Sequence, residues 1–357
     1  MKHRALKWAK GIGLSALAAL SFGLAANATP VVDKDSDLGR SLNLPITRWH
    51  DDTKATEAII VGVHGMTLYA DTFNDLATEL ANKGFDFYAA DLRGFGRWKT
   101  DAANFKGDDK IHFGQSEEDL RTLLQSIRAN NPQTKIYLLG ESLGANIALW
   151  LATNHANLVD GVILSAPCFK ADMHPSPRWA VDAVRGLAHP NKAMDMTPYI
   201  TPYLTNDQNV SKACLNDKNI CRELSPMDLF KADKTNKEAL AKLSQMPGDL
   251  PVLVIAGQND KVMHSSSIAK TVEKFGSNNV SVNIIPNKGH LLLEHQVVDA
   301  SVNNILLSWL DKTQLSLGAG SRAQEIASKS AAEEAVRQPV EVADLDATEG
   351  NLTVALH

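Results

Sequence analysis

The sequence of 357 residues lacks the motifs by which most metals and cofactors are held. It has no Gly-rich phosphate loop, no HExxH helix and no cluster of cysteine and histidine, so we predict neither a cofactor nor a metal. No block of lysine and arginine occurs in the body of the chain. Its 36 basic and 41 acidic residues leave a net charge of −5. Because nucleic-acid binding depends on neutralising phosphates, we expect none here.

Long apolar runs are equally scarce, and the one near the N-terminus, residues 12–25, has the features of an export signal. Four basic residues precede it, and Ala26-Asn27-Ala28 supplies the small-x-small pattern that a signal peptidase cleaves. We predict a signal peptide over residues 1–28, cleavage near Ala28 and a periplasmic or secreted mature chain that begins at Thr29. An uncleaved anchor is the alternative, but the run is shorter than the roughly 20 residues that span a bilayer. The mature chain would carry 32 basic and 41 acidic residues, a net charge of −9.

Cysteine is also rare, with three residues in the whole chain. In an oxidising compartment Cys214 and Cys221, with the six residues LNDKNI between them, are the pair expected to form a disulfide. Cys168 would then remain a free thiol, buried just after a strand. A catalytic role for Cys168 is the alternative, but the sequence suggests no histidine or charged partner beside it.

What the chain does contain is an alternation of short apolar runs and amphipathic stretches. Hydrophobic residues make up 44% of the sequence and charged residues 22%, as in an ordinary globular protein with about two domains or one domain carrying a large insertion. This alternation predicts an α/β fold, a mostly parallel sheet flanked by helices. The predicted strands are Ala58–Val63, Phe85–Ala90, Ile136–Leu139, Val162–Ser165, Val252–Ala256 and Val280–Ile285. The predicted helices are Thr72–Asn82, Ser116–Ala129, Ser142–Asn154, Ser265–Phe275 and Gln296–Leu310.

Two stretches interrupt the alternation and divide the chain into domains. Residues 168–250 are rich in proline, methionine and aromatics, and such a long excursion predicts a helical cap, or lid, inserted over the strand ends. The core then consists of residues 29–167 and 251–312. Residues 313–357 have seven acids, three bases and no periodic strand, which predicts an acidic, weakly structured tail.

Gly140-Glu141-Ser142-Leu143-Gly144 follows a predicted strand directly and opens a predicted helix. This is G-x-S-x-G in the strand-turn-helix context that a serine nucleophile needs. The tight approach of strand and helix admits only residues of glycine size at both flanks, and the N-terminus of the helix places free N–H groups where an oxyanion would develop. We predict Ser142 as the nucleophile.

A serine hydroxyl needs a base to take its proton and an acid to orient that base, in the chain order Ser, Asp, His. Asp260 follows the apolar run VLVIA, and His290 follows VSVNII. Each lies where a late strand ends, so we predict Asp260 and His290 as the other two members of a catalytic triad. A turn-forming role is the alternative for Asp260. His295, five residues after His290 but already inside the helical pattern that leads into the predicted helix, is the alternative base.

An oxyanion hole requires two backbone donors, one after the nucleophile and one from the loop after an early strand. Leu143 and Met66 occupy these positions, and we predict their N–H groups as the donors. His64, two residues before Met66, is interpreted as a structural residue that orients this loop.

Five motifs in order resemble those of the α/β-hydrolase superfamily: HG at 64–65, DLRGFG at 91–96, GESLG at 140–144, GQND at 257–260 and GH at 289–290. Within it they are most similar to the monoacylglycerol lipase, lysophospholipase and serine-aminopeptidase-like group. The resemblance covers about residues 55–312 and implies the α/β-hydrolase fold, the triad, both oxyanion donors and a lid. Three positions depart from the common pattern: Trp98 replaces a serine, Ala145 a second glycine, and Met66-Thr67 a smaller or glycine-rich oxyanion loop. These departures bear on the shape of the pocket.

These features together predict an exported serine hydrolase that cleaves a carboxylic ester, such as an acylglycerol, a lysophospholipid or a similar hydrophobic ester. The partner expected is a small-molecule ester with an acyl or other hydrophobic group, and transient lipid or membrane-surface contact through the cap is a further expectation. The substrate-binding residues are not predicted. An amidase or aminopeptidase with the same triad is one alternative, and a non-catalytic binding domain on this fold is another. An aminopeptidase would need acids in the cap to hold a substrate amine, for which the candidates are Asp172, Asp182, Asp195, Asp217 and Glu223.

Overall fold

A mostly parallel eight-stranded sheet lies at the centre of the computed structural model, which describes residues 29–170, 188–200 and 203–316. The strands in chain order are β1 (Val31–Asp33), β2 (Ile46–His50), β3 (Ala58–Val63), β4 (Phe85–Ala90), β5 (Ile136–Glu141), β6 (Gly161–Ser165), β7 (Met194–Asp195), β8 (Glu223–Leu224), β9 (Val252–Gly257) and β10 (Val280–Ile285). The sheet has the order β1-β2-β4-β3-β5-β6-β9-β10, and β7 pairs with β8 apart from it. The six strands from β4 to β10 in that order are parallel, whereas β1 and β2 run antiparallel at one edge.

The six predicted strands are confirmed as the parallel part of the sheet, which confirms the α/β fold class. The antiparallel edge was not predicted. β1 has three residues, and Val31 and Val32 at its start are exposed. In β2 the polar Thr47 and Arg48 interrupt the apolar pattern, while Trp49 is completely buried. Pairing with β4, rather than a hydrophobic run, therefore determines this edge.

Helices occur between the strands at the predicted places. They are α1 (Asp37–Leu42), α2 (Asn74–Ala81), α3 (Arg97–Thr100), α4 (Phe113–Asn130), α5 (Leu143–Asn154), α6 (Thr197–Ile200), α7 (Gln208–Asn216), α8 (Pro226–Leu240), α9 (Ser267–Val272) and α10, residues 300–316. The last helix was predicted to begin at Gln296, but it begins at residue 300. The Asp299 carboxylate accepts the Ser301 N–H at 2.9 Å, which caps the helix start and explains the difference. Among the described helices, none combines the length and apolarity needed to cross a membrane.

Both faces of the sheet are buried. Alternate residues of the central strands pack into two different hydrophobic clusters, one on each face. In β3, Ile59 and Val61 pack into one cluster and Ile60 into the other. The first cluster includes residues of α4 and α5, and the second includes residues of α2 and α10. This two-sided burial is typical of parallel sheets. Because the strands run in the same direction, the loops that follow them lie together at one rim of the sheet.

The inserted residues between β6 and β9 contact the loops at this rim. The Cys221 N–H donates to the Thr67 carbonyl at 2.8 Å, and the Leu291 N–H donates to the Leu204 carbonyl at 2.8 Å. A small hydrophobic cluster joins the insertion to the rim through Leu68, Val210, Cys214, Ile220 and Leu291. Helix α8 lies instead beside α4 and α5. The division of residues 168–250 into a separate lid remains a prediction.

Several predicted features fall wholly or partly outside the described residues. They are the signal peptide over 1–28, the cap residues 171–187 with Asp172 and Asp182, and the tail from residue 317 onward. Of the predicted tail, residues 313–316 continue α10.

The predicted disulfide between Cys214 and Cys221 is wrong in this structure, where both are buried free thiols. Cys214 lies on α7 and packs into the cluster that joins the insertion to the rim. Cys221 packs into the hydrophobic cluster on the α4–α5 side of the sheet. Its sulfur lies 3.3 Å from Lys99 Nζ and donates to the Glu223 carbonyl at 3.3 Å. The two side chains therefore occupy different environments, although their sequence separation is short.

Candidate active site

Ser142 lies at the sharp turn between β5 and α5. Its backbone is in a left-handed region, with φ 57° and ψ −121°, which side chains other than glycine rarely adopt and which stores strain. The neighbouring glycines make the turn possible. A Cβ atom on Gly140 would lie 2.2 Å from the Gly144 carbonyl oxygen, and one on Gly144 would lie 2.0 Å from the Val63 carbonyl oxygen. The predicted nucleophile is thus held partly exposed at the carboxyl end of β5.

The structure brings the three predicted triad residues together. The Ser142 hydroxyl lies 2.8 Å from Nε2 of His290, and Nδ1 of His290 lies 2.7 Å from Oδ2 of Asp260. Because Asp260 accepts a hydrogen from Nδ1, the lone pair of Nε2 faces the serine hydroxyl. Both partner side chains are about 1% exposed, so the relay is shielded from water on the side away from Ser142.

Asp260 combines the predicted acid role with the turn-forming role that was its alternative. Its Oδ1 accepts the N–H groups of Val262 and Met263 at 2.7 and 2.9 Å, which leaves Oδ2 for the histidine. These bonds anchor the carboxylate in one orientation. Each oxygen therefore has its own partner.

His295, the alternative base, lies elsewhere. It belongs to a loop with φ 59° rather than to the predicted helix, since α10 begins five residues later. Its Nε2 lies 3.1 Å from Asp217 Oδ2, and Asp217 also accepts the Tyr69 hydroxyl hydrogen at 2.8 Å. His295 therefore connects the rim to the insertion.

The two predicted oxyanion donors lie at the same rim of the sheet as Ser142, because β3 and β5 are parallel neighbours. Leu143 is the first residue of α5, so its N–H has no acceptor within the helix. Met66 is half-buried in the loop after β3, and Thr67 follows it in a left-handed conformation with φ 73°. The donor roles of Met66 and Leu143 remain predictions.

His64 is completely buried and holds the loop that carries Met66. Its Nε2 accepts the Leu92 N–H at 2.9 Å, so Nδ1 carries the hydrogen and donates to the Gly65 carbonyl at 2.8 Å. Burial lowers the pKa of His64, which keeps the ring neutral. This agrees with its interpretation as a structural residue.

Cys168 is closer to the nucleophile than the sequence indicated. It is a buried free thiol, as predicted, but its sulfur lies 3.7 Å from the Ser142 hydroxyl. The side-chain amide of Asn146 fixes its backbone by bonds of 2.9 and 3.1 Å. Burial raises the pKa of Cys168 to about 12, so the thiol is not ionised at neutral pH. Its position three residues beyond β6, the neighbour of β5, was the signal that could have placed it here.

Two buried glutamates support the site and were not predicted. Glu141, the residue before the nucleophile, and Glu294, four residues after His290, are both completely inaccessible. The Glu141 carboxylate accepts N–H groups from residues 292–294, and Glu294 Oε1 accepts the Gly65 N–H at 2.7 Å. Glu141 is the variable position of G-x-S-x-G, so the motif itself gave no reason to assign it a role.

The arrangement of these residues suits nucleophilic acyl transfer. A hydroxyl, a base oriented to accept its proton, and a free backbone N–H at a helix N-terminus converge at one rim of the sheet. In the described part of the chain, no group of three or more His, Cys, Asp and Glu side chains is arranged to hold a metal ion.

Comparison with known proteins gives matches over most of the chain. The profile of the family described as serine aminopeptidase, S33, matches residues 54–296. A putative monoglyceride lipase of Schizosaccharomyces pombe is 23% identical over 249 residues, which cover 68% of this chain and 64% of that protein. The chain thus spans just under two thirds of the length of this relative. The monoglyceride lipase of Homo sapiens is 23% identical over 281 residues, covering 77% of this chain and 89% of that protein.

Solved structures show the same fold. A monoacylglycerol lipase of Paleococcus ferrophilus superposes with a TM-score of 0.58 at 19% identity, covering 76% of this chain and 98% of that one. A soluble variant of monoglyceride lipase from Saccharomyces cerevisiae, in complex with a substrate analog, superposes with a TM-score of 0.61 at 18% identity. That match covers 81% of this chain and 95% of the yeast chain.

Proposed function

Because the chain belongs to the serine aminopeptidase, S33, family and to the monoacylglycerol lipase-like group of α/β-hydrolases, we propose that it is an exported serine hydrolase that cleaves carboxylic esters. The observation that carries this proposal is the relay of Ser142, His290 and Asp260, with contacts of 2.8 and 2.7 Å. A shared fold alone would not support an activity, since one fold hosts many functions.

The reaction begins when His290 Nε2 takes the hydroxyl proton of Ser142 and the serine oxygen attacks the ester carbonyl carbon. The N–H groups of Met66 and Leu143 hold the negative oxygen of the tetrahedral intermediate. Its collapse expels the alcohol, which receives the proton from His290, and leaves an acyl group on Ser142. Water then attacks the acyl-enzyme as His290 takes its proton, and release of the acid restores the serine. Asp260 orients His290 and stabilises its charged form throughout.

The proposed substrate is a hydrophobic ester such as an acylglycerol or a lysophospholipid. The relatives named monoglyceride lipases support this class, as does the position of the insertion against the rim loops through Leu204 and Cys221. Contact of the cap with a lipid surface belongs to the same proposal.

Amide cleavage is the second candidate, because the matching family is described as a serine aminopeptidase. It would need a carboxylate in the insertion to hold a substrate amine. Of the candidates that the structure describes, Asp217 is engaged by Tyr69 and His295, and Asp195 and Glu223 are exposed on the β7–β8 pair. Asp217 is thus occupied by other partners, and the relatives named monoglyceride lipases favour the ester reaction over the amide one. A non-catalytic role is disfavoured because all three triad side chains are present and joined.

A panel of nitrophenyl esters of increasing acyl length, run beside aminoacyl anilides, tests the reaction. We expect ester hydrolysis by the mature protein and its loss in Ser142→Ala. Ser266→Ala, which changes an exposed serine at the start of α9, is the matched control and should keep full activity. Preference for anilides would replace the ester proposal with the amide one. Equal activity in Ser142→Ala would remove the serine from the mechanism.

Export has a test of its own. After expression of the full chain in a bacterium, we expect the protein in the periplasmic fraction or the medium, with Thr29 as its first residue by mass spectrometry. An intact N-terminus in the membrane fraction would support the uncleaved anchor instead.

A further inference from the structure

Two glutamate side chains lie behind the triad, completely buried, and the proposed reaction uses neither of them. A buried carboxyl group is costly unless its oxygens are bonded, so such a pair has a structural reason to be there. Their hydrogen bonds show which parts of the site they join.

Glu141 holds the backbone that follows His290. Its Oε1 accepts the Leu292 N–H at 2.8 Å, and its Oε2 accepts the Glu294 N–H at 2.9 Å. Oε1 also accepts the Ser165 hydroxyl hydrogen at 2.6 Å. The residue before the nucleophile thus fixes the loop that carries the base.

Glu294, at the end of that loop, reaches the other side of the site. Its Oε1 accepts the Gly65 N–H at 2.7 Å, and its Oε2 contacts the Thr72 hydroxyl. A Cβ atom on Gly65 would lie 3.3 Å from the same Oε1, so glycine permits this close approach. Gly65 directly precedes Met66, whose N–H is the proposed second oxyanion donor.

The Thr72 hydroxyl indicates which form of Glu294 is present. Its oxygen lies 2.6 Å from the Tyr69 carbonyl and also contacts Glu294 Oε2. A hydroxyl has one hydrogen, and a carbonyl can only accept. The single Thr72 hydrogen would have to be shared between these two acceptors, whereas each contact has a hydrogen of its own when Glu294 carries a proton and donates it to Thr72 while Thr72 donates to Tyr69.

We propose that Glu294, as a neutral acid, is a positioning residue that sets the Met66 end of the oxyanion hole, and that Glu141 places it there. This inference rests on the proposed function. The two glutamates thus connect three parts of the site through buried hydrogen bonds: the turn that carries Ser142, the loop that carries His290 and the loop that carries Met66.

The electrostatics of the pair agree with this assignment. Burial and the neighbouring Glu141 raise the pKa of Glu294 well above its ordinary value. Two adjacent buried carboxyls favour sharing a single charge, and Glu141, with three backbone N–H donors, is the better place for it. His290 acts on the pKa of Glu141, and Glu294 in turn raises the pKa of Cys214.

The test compares Glu294→Gln with Glu294→Asp. Gln keeps the length and neutrality of the acid, so its carbonyl oxygen can accept from Gly65 and its amide can donate to Thr72. Asp keeps an ionisable carboxyl, but its side chain is one methylene shorter and cannot reach both the Gly65 N–H and the Thr72 hydroxyl. We expect Gln to retain most of kcat. We expect Asp to lower kcat about 10- to 100-fold, with KM changed less than threefold, because removing an oxyanion donor outright costs about 10²- to 10³-fold.

A transition-state analogue separates this role from a general loss of packing. Ser142 converts an alkyl trifluoromethyl ketone into an adduct that bears the oxyanion, so its inhibition constant should rise in parallel with the loss of kcat in Glu294→Asp. Glu117→Ala is the control, because it removes a buried carboxyl on α4 outside the site. It should leave kcat and ketone affinity unchanged even if it lowers the melting temperature.

Three results would overturn the assignment: an Asp variant more active than the Gln variant, wild-type kcat in a folded Asp variant, or a loss of kcat with ketone affinity unchanged. Failure of the proposed function is distinguishable from all three. It would show as no ester hydrolysis by the wild type, or as equal hydrolysis by Ser142→Ala, whatever the Glu294 variants do.

Discussion

At the scale of single residues, the proposed activation of Ser142 depends on the orientation of one imidazole ring. Asp260 Oδ2 accepts from Nδ1 of His290, so the lone pair on Nε2 faces the serine hydroxyl. The other oxygen of Asp260 is held by the N–H groups of Val262 and Met263. The carboxylate therefore cannot rotate away without breaking two further bonds.

Asp260→Asn should separate the turn-forming role from the catalytic one. The amide oxygen can still accept from Val262 and Met263, but its NH₂ group would face Nδ1 of His290. That favours the tautomer with a hydrogen on Nε2, which cannot take the serine proton, so we expect kcat to fall about 10³- to 10⁴-fold. Ester hydrolysis and the melting temperature measure the two effects. A variant with nearly unchanged kcat would show that Asp260 serves the turn alone.

At the scale of elements, the approach of α5 to β3 and β5 determines the shape of the nucleophile turn. A Cβ on Gly144 would lie 2.0 Å from the Val63 carbonyl oxygen, and the backbone on both sides is packed into the core. Helix α5 and strand β3 cannot move apart without breaking buried packing contacts.

Gly144→Ala should therefore lower the free energy of unfolding by about 2 kcal/mol or more and reduce ester hydrolysis with it. Gly114→Ala is the matched control, because a Cβ there meets nothing within 4 Å and the residue lies in α4. Alanine is favoured over glycine in a helix, so this control should be neutral or more stable by up to about 1 kcal/mol. Urea denaturation of both variants gives the comparison. Equal stabilities would contradict the predicted clash.

The packing of the insertion also determines that Cys214 and Cys221 are separate, buried free thiols. Cys214 faces the rim cluster and Cys221 faces Lys99 and the α4–α5 side of the core. Burial raises the pKa of Cys214 to about 11 and that of Cys168 to about 12, so neither thiol is ionised near neutral pH.

We expect three free thiols per chain when the non-reduced protein is unfolded in guanidinium and titrated with a disulfide reagent. In the folded protein Cys168 and Cys214 should react slowly, because they are buried and protonated. One thiol per chain after unfolding would restore the Cys214–Cys221 disulfide that the sequence suggested and that this structure does not form. Cys214→Ser and Cys221→Ser would then identify the pair.

At the scale of the whole molecule, both faces of the sheet are covered by helices, so a carboxyl group on one of these helices can be buried. The protonation of such a group makes the free energy of unfolding depend on pH. Glu117 on α4 is buried, and one of its oxygens has no hydrogen-bond partner. Burial, with a smaller contribution from Glu238, raises the pKa of Glu117 to about 7. The folded protein then keeps a proton that the unfolded chain releases above about pH 4.5. This group therefore lowers the free energy of unfolding as pH rises toward and through 7.

Glu117→Gln removes this ionisation. We expect the variant to unfold at the same urea concentration as the wild type at pH 5, and at a higher concentration at pH 8, with a gain of up to about 3 kcal/mol. Glu118→Gln is the control on the same helix. That carboxylate is exposed and pairs with Arg121, so its loss should bring no gain at pH 8. A Glu117→Gln variant without a pH-dependent gain would show that the carboxyl ionises freely in the fold.

The sequence by itself determined the parallel sheet and the three residues, predicted as a triad, that meet at its rim. Those features depend on local rules: apolar runs of strand length, glycines at a tight turn, and polar residues placed where strands end. Because the carboxyl ends of parallel strands share one rim, chain order was enough to predict that Ser142, Asp260 and His290 would come together.

Only the tertiary structure decided the contacts between residues that no local pattern links. The β2 edge depends on pairing with β4, and Cys214 and Cys221 are kept apart by the clusters into which they pack. Glu294 meets Gly65 across 229 residues of chain. Such contacts depend on which groups the fold buries opposite one another. An unpaired buried polar group costs free energy, but this cost favours a particular partner only when folding has brought the two residues together.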